Sequence, residues 1–363
     1  MTIRGTVRPM YSGMKKFRLR TGACATVAFC AASAGAQVQI APQVQGGSQV
    51  QLYGLVGTYI DSLKRSDMAQ SQVQMGSGGL TTSFWGIRGK EDLGGGASAI
   101  FALESFFQPN NGGQGRSAAD PYWSRNAYVG LTGAFGRLTF GRQTNPTYVA
   151  MQAVNPFGSS VVFSPLVVQT FVTSYGGSII GDTVWNNTAQ YTSPSYNGLG
   201  ATVIYGLGGV AGSPGIGNLG LHLSYSGSAL TAVLSAQRVR FTAVGPVGAQ
   251  YAYLAGAAYD FRLVKLYASA VLTSNVSTPT GTHTYQAGLS IPFTPADFLY
   301  ASWARTRRSG PVDNSLRNTA SIAYDHFLSK RTDLYAVYSL DKLSGHSIGN
   351  TFGGRHPAHV LVD

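Results

Sequence analysis

The chain has 363 residues and a formal net charge of +12, yet only 11% of its residues are charged while 44% are hydrophobic and 47 are glycine. Soluble domains average about 25% charged residues and about 7% glycine, and disorder pairs low hydrophobicity with high charge, so neither class fits. Two cysteines exclude a disulfide-stapled scaffold, and no run after residue 36 reaches the ~20 apolar residues of a membrane helix.

The N-terminus reads as an export signal. Met14-Lys15-Lys16-Phe17-Arg18-Leu19-Arg20 precedes an apolar stretch from Ala23 to Ala32, then Ala34-Gly35-Ala36. A basic segment, an apolar segment and a small-x-small site make a signal peptide over residues 1–36, cleaved after Ala36. Met14 as the start leaves 1–13 as an extension without a role. The segment holds Arg4, Arg8, Lys15, Lys16, Arg18 and Arg20, no acid and both cysteines. Removing it leaves 20 bases against 14 acids, a charge of +6, on a single unit spanning 37–363. Half of the basic balance is therefore leader, and no nucleic-acid partner is implied.

Beyond the leader, period-two segments of about ten residues recur between Gly, Pro, Asn, Asp and Ser clusters. The first five are Val50–Asp61, Leu80–Lys90, Ala97–Phe107, Arg125–Thr132 and Arg137–Arg142. Trp185–Thr192, Leu199–Leu207, Leu219–Ser226, Ala229–Arg240 and Gln250–Phe261 follow. Lys265–Asn275, His283–Ile291, Phe298–Arg308, Arg317–Phe327, Thr332–Leu343 and a stretch after Asn350 bring the series to sixteen. Connections at Glu91–Gly96, Gly133–Gly136, Ser226–Ser228 and Ser329–Arg331 are tight, whereas Ser62–Gly79, Gln108–Ser124 and Asn145–Asp182 are long. Short turns at one end, long loops at the other and an even strand count fit an all-β fold, a 16-stranded antiparallel transmembrane β-barrel. Such a wall faces lipid on one side and water on the other, which brings mean hydropathy to +0.03. The competing class is a surface-exposed structural or adhesive β-protein whose alternation faces a core.

Particular segments carry a family resemblance. Gln51-Leu52-Tyr53-Gly54-Leu55 opens the first strand. Ser83-Phe84-Trp85-Gly86-Ile87-Arg88-Gly89 and Glu91-Asp92-Leu93-Gly94 lead into Ala99-Ile100-Phe101-Ala102-Leu103-Glu104-Ser105. Arg125-Asn126-Ala127-Tyr128-Val129-Gly130-Leu131, Phe135-Gly136-Arg137-Leu138-Thr139-Phe140-Gly141-Arg142 and Leu328-Ser329-Lys330-Arg331-Thr332-Asp333-Leu334-Tyr335 follow in order. In this order the set resembles the trimeric general porins of Gram-negative bacteria, especially the β-proteobacterial type. The resemblance implies a homotrimer in the outer membrane, in contact with its lipid and lipopolysaccharide, passing small hydrophilic solutes by diffusion without a cofactor. It also implies that the third long loop, Asn145 to about Gly181, folds inward and sets the constriction.

The constriction is where this chain departs from that family. The family sets wall arginines against acids on the inward loop. Here the second-strand position is Phe84 and the sixth-strand position is Val184, so only the fourth-strand arginine remains, as Arg125. Glu104 opposes it, on the parity opposite Ala99, Phe101 and Leu103. From Asn145 through Gly181 there is no Asp, Glu, Lys, Arg or His, and Asn155 stands where such porins place a carboxylate. A weak transverse field is expected, in a constriction ringed by Phe84, Phe157, Phe163 and uncharged polar groups; the alternative is that Arg88, Arg137 or Arg142 replaces the missing cations. The tail departs as well, since Pro357 has no N–H for a ladder and Asp363 replaces the usual terminal aromatic residue.

No enzyme is expected. The six histidines are scattered, without a His-Glu-x-x-His or Cys-containing metal spacing, and Gly206-Leu207-Gly208-Gly209 lacks the Lys-Ser/Thr of a phosphate loop. Arg305, Arg307 and Arg308 make a basic run at a strand end, either a solvated rim or a lipopolysaccharide phosphate contact.

Overall fold

Most of the later strands divide into two interleaved sets of side chains, one mainly small or polar and covered, the other apolar and exposed, and this division builds the sheet. The computed structural model describes residues 24–29, 48–64, 69–172, 180–212, 215, 217–240, 248–276, 280–310 and 315–344. Its strands begin with β1 (Cys24–Phe29), β2 (Gln49–Leu55), β3 (Thr58–Leu63), β4 (Gln72–Ser77), β5 (Phe84–Gly94) and β6 (Ala97–Gln108). Next come the two-residue β7 (Gly113–Gln114), β8 (Ala127–Gly133) and β9 (Gly136–Thr144), then the helices α1 (Pro146–Ala153) and α2 (Pro165–Thr170). The series resumes with β10 (Val184–Thr192), β11 (Leu199–Gly206), β12 (Leu219–Ser226), β13 (Leu230–Arg240) and β14 (Ala249–Asp260). It ends with β15 (Lys265–Asn275), β16 (Gly281–Pro292), β17 (Asp297–Ser309), β18 (Leu316–Ser329) and β19 (Thr332–Ser344).

All pairings are antiparallel, and from β8 to β19 each strand pairs with the next. In β13 the covered set is Val233, Ser235, Gln237 and Val239, while Leu234 of the other set is 57% exposed. The same split recurs in β17, where Ser302, Ala304 and Thr306 are buried and Trp303 is 42% exposed. No helix among the described residues is long and apolar enough to cross a membrane; the apolar surface belongs to the strands.

The structure revises several boundaries. The first expected strand is broken at 56–57 into β2 and β3, which pair with β5 and β4 respectively. The Ser83 hydroxyl holds this break: it accepts from Gly57 N at 3.0 Å and donates to Gly57 O at 2.9 Å. The expected long loop Ser62–Gly79 contains β4 and is correspondingly shorter. Arg125 lies just before β8, although its amide still donates to Glu104 O at 3.1 Å.

β1 falls inside the expected leader, yet it pairs with β19 on one side and β3 on the other. The expected last strand after Asn350, with Pro357 and Asp363, and the cleavage site at Ala36 lie outside the described residues.

Candidate functional site

One face of the sheet carries the segment between β9 and β10. Two sequence signals start its helices: Asn145 before Pro146, and Ser164 before Pro165. Each polar residue is an N-cap, accepting from Thr147 N at 2.8 Å and from Val167 N at 3.4 Å. Proline at the first helical position loses no hydrogen bond there. The helices are too short to stand alone and are held by what they cover. Met151, Val154, Leu166, Val167 and Ile180 are fully buried, against Val233, Leu254 and Val271 of the sheet. At about 1.5–3 kcal/mol per buried large apolar side chain, this packing outweighs any single hydrogen bond of about 1 kcal/mol.

Hydrogen bonds set the register of that packing. Asn145 Nδ2 donates to Gln237 Oε1 at 2.9 Å, Gln237 Nε2 donates to Ile180 O at 3.1 Å, and Thr147 meets Ser235 at 2.7 Å. Ser269 donates to Val154 O at 3.0 Å. Gln169 of α2 donates to Thr319 Oγ1 at 2.7 Å and Ala304 O at 3.0 Å and accepts from Thr306 Oγ1 at 2.5 Å. Close approach also needs missing side chains: a Cβ on Gly256 would stand 2.7 Å from Val154 Cγ2, and one on Gly288 would stand 2.8 Å from Pro156 Cδ.

Beneath α2 lies the ion pair Arg317–Asp341, both members buried in the sheet, with Arg317 Nη2 to Asp341 Oδ2 at 2.7 Å. Thr319 also donates to Asp341 at 2.7 Å, and Arg317 Nη1 reaches Val168 O, near the C-terminal end of α2, at 3.5 Å. A cation suits that end of a helix.

A second cluster stands on β2, β5 and β6. Glu104 accepts from Tyr53 Oη, Arg125 Nη1 and Asn126 Nδ2. The Arg125 guanidinium lies 4.2 Å from the Phe84 ring centroid, and Arg88 lies 4.6 Å from that of Tyr53. Phe84 packs with Leu55, Phe106 and Val184. Phe84, Val184, Arg125, Glu104 and Arg88 are thus brought together, with Arg125 neutralised by Glu104 and apolar side chains at the two positions where the resemblance implied arginine.

Other expected constriction residues sit elsewhere. Phe157 and Phe163 are 3% and 1% exposed and pack with Tyr59, Tyr335 and Val337, a cluster separate from that of Phe84. Their packing is that of aromatic rings on an uncharged segment, which gain most by burial. Asn155 is 3% exposed and uses its whole side chain within the segment. Arg142 pairs with Ala127 in the register, and its side chain is 11% exposed. It donates to Ser124 O at 2.8 Å and to Asn186 Oδ1.

Several site residues were not singled out in the sequence. Arg116, in the loop after β7, binds Asp120 and Asp182 at 2.7 Å each and so ties that loop to the chain entering β10. Burial disfavours its charge, but the two carboxylates hold its pKa above the ordinary guanidinium value. Burial likewise raises the Asp120 carboxyl, and Arg116 more than reverses this, leaving it below the usual carboxylate range. The Asp120 contribution is therefore present above about pH 4 and lost as pH falls through the lowered value. The signal that could have found Arg317 and Asp341 is parity, since both occupy the covered set of otherwise alternating strands. Among the described residues no group of three or more His, Cys, Asp or Glu is placed to hold a metal ion.

Comparison with known proteins places this arrangement. The Gram-negative porin family profile matches residues 23–346. An outer membrane porin protein of Bordetella pertussis is 29% identical over 356 residues, covering 82% of this chain and 90% of its own. Outer membrane porin protein 32 of Delftia acidovorans is 28% identical over 79% of this chain and 82% of its own. Among solved structures, an anion-selective porin from Comamonas acidovorans shares the fold with a TM-score of 0.70, at 23% identity, over 81% of this chain and 98% of its own. The profile spans nearly all of the described strands together with the covering segment, and the chain accordingly belongs to the Gram-negative porin family: it is an outer-membrane porin.

Proposed function

We propose that the protein is a sixteen-stranded diffusion channel whose loop from Asn145 to about Gly181 folds into the lumen, and that it passes small hydrophilic solutes with little preference for the sign of their charge. The observation that carries this reading is the pairing of an uncharged covering segment with a wall cluster in which Glu104 neutralises Arg125. The face that the segment covers is rich in Ser, Thr and Gln, whereas the opposite face exposes Leu234, Tyr253, Leu272 and Trp303. A lumen lined by the polar face and a lipid contact made by the apolar one follow from the bilayer as solvent. Selectivity in such pores comes from diameter and from rings of charge. With Phe84 and Val184 in place of cations, diameter and polarity remain. The decisive measurement is the reversal potential in planar bilayers across a tenfold KCl gradient. A value close to zero is expected, and a strongly anion-selective value would overturn the weak-field reading.

We further propose that residues 1–36 are removed on export, so that protein isolated from outer membranes begins at Gln37. N-terminal sequencing checks this, and an intact leader on the inserted protein would refute it. Loss of β1 would leave the edges of β3 and β19 to be paired anew, because a bilayer does not tolerate an open sheet edge. We propose a homotrimer as well, with its subunit contact on the apolar surface of β2, β8 and β9, where Val50 and Leu52 are each 71% exposed, Val129 62% and Phe140 51%.

A further inference from the structure

The covered face of β15–β19 ends, on the side of the short turns, in a group of aromatic rings and acids apart from the Glu104–Arg125 cluster. Asp325 stands at its centre, opposite Phe298 of β17 and Tyr335 of β19. One step nearer the turn, Phe327 stands opposite Asp333. Asp325 and Asp333 are 2% and 1% exposed, whereas Phe298, Tyr300 and Phe327 keep part of their surface open. Tyr300 Oη donates to Asp325 Oδ2 at 3.3 Å. Asp325 Oδ1 is buried and accepts no hydrogen bond among the described residues. A buried carboxylate oxygen without a donor is costly unless a cation stands near it.

The rings around this acid form a corner. Phe298 and Tyr300 are stacked, with centroids 6.2 Å apart and planes at 16°. Phe327 meets Phe298 edge-on, at 5.6 Å and 79°. Phe157 of the covering segment closes the far side, edge-on to Tyr300 at 6.1 Å. Ring faces carry negative potential and attract ammonium ions, and the carboxylates behind them add to that attraction at low dielectric. A metal ion would need more oxygen or nitrogen ligands, and no group of three or more His, Cys, Asp or Glu among the described residues supplies them. The same face already sets a cation on a ring: Lys265 Nζ lies 5.4 Å from the Tyr267 centroid. With Lys265 counted against Asp325 and Asp333, the turn half of this face keeps one negative charge for a ligand to offset.

We propose that Phe298, Tyr300 and Phe327, backed by Asp325 and Asp333, bind small organic ammonium ions at the turn-end mouth of the channel. Short turns lie at the periplasmic end of outer-membrane barrels, so this mouth faces the periplasm. The site rests on the channel reading for its place in the lumen, but binding and conductance are measured apart. The test titrates tetramethylammonium into the folded protein in detergent, in potassium chloride buffer, and follows binding by calorimetry. Saturable binding by the parent is expected. Asp325→Asn, which keeps an acceptor for Tyr300, should bind about tenfold more weakly. Phe298→Leu should bind about threefold more weakly, while Phe298→Tyr should retain binding. tert-Butanol, a neutral molecule of similar shape, should not compete. Equal binding by the parent and Asp325→Asn would overturn the proposal, as would undiminished binding by Phe298→Leu. Competition by tert-butanol, or no saturable binding by the parent, would overturn it too. Heat-modified electrophoretic mobility shows which variants are folded; should Asp325→Asn fail to fold, the contrast between Phe298→Leu and Phe298→Tyr decides. Potassium current through the same preparations in planar bilayers reports separately on the channel reading. A preparation that binds the ion and carries no current would count against that reading alone.

Discussion

Arg317→Met is expected to destabilise the folded protein by about 3–5 kcal/mol, because it leaves the Asp341 carboxylate buried without its partner. The Asp341 side chain is only 3% exposed and then keeps one donor, Thr319 Oγ1 at 2.7 Å. The same change withdraws the guanidinium from Val168 O beneath α2, so the covering segment loses a support at the moment the wall loses stability. Urea titration in detergent, followed by the heat-modified electrophoretic mobility that reports intact barrels, measures the first effect. Current noise in single-channel records reads the second. A companion variant, Arg317→Met with Asp341→Leu, separates charge from packing. Apolar replacement of both members of a buried pair is often neutral or stabilising, so the double variant should recover most of the loss. A single variant as stable as the parent would show that the pair contributes nothing to folding.

The strands were the legible part of this molecule. Alternation needs no knowledge of partners, and fifteen of the sixteen expected segments correspond to described crossings, counting β2 with β3 and β4 with β5 as one each. Irregularities that depend on a distant residue were not legible: the break at 56–57 is held by Ser83, some twenty-six positions away. The helices α1 and α2 were missed for a related reason. Their apolar residues follow no clean 3.6-residue period because the covering segment is buried on more than one side. The N-cap-plus-proline pairs at Asn145-Pro146 and Ser164-Pro165 were the readable sign. Among the residues expected at the constriction, identity was legible and packing partners were not. Phe84, Val184, Arg125 and Glu104 do meet, as their strand positions implied. Phe157 and Phe163 were grouped with Phe84 only by being aromatic, and they pack instead with Tyr300, Tyr59 and Tyr335.

Asn155→Asp should loosen the covering segment at neutral pH and far less in acid. From sequence, Asn155 reads as a carboxylate position that this chain has vacated. The geometry gives the amide a different duty. Its Nδ2 donates to Met151 O at 2.6 Å and to Gly158 O at 2.9 Å, while its Oδ1 accepts from Phe157 N at 3.0 Å and Ser164 Oγ at 2.9 Å. It thereby ties the last turn of α1 to the turn that leads into α2. An isosteric carboxylate keeps the two acceptor contacts but sets an anionic oxygen against two carbonyls: Gly158 O loses the amide donor, at about 1–3 kcal/mol, while Met151 O keeps that of Val154 N at 3.2 Å. Burial raises the pKa of such a carboxyl above its unfolded value near 4. The protonated form still offers one O–H donor. The deficit relative to the parent is therefore smallest below about pH 4 and grows as pH rises through the raised folded value. Single-channel recordings should show larger and noisier currents for the variant at pH 7 and near-parental currents at pH 4. Indistinguishable records at pH 7 would mean that Asn155 does not hold the segment in place. If the variant behaves as expected, the missing charge at this position is a condition of how the segment packs, and a strong transverse field could not be restored there by substitution alone.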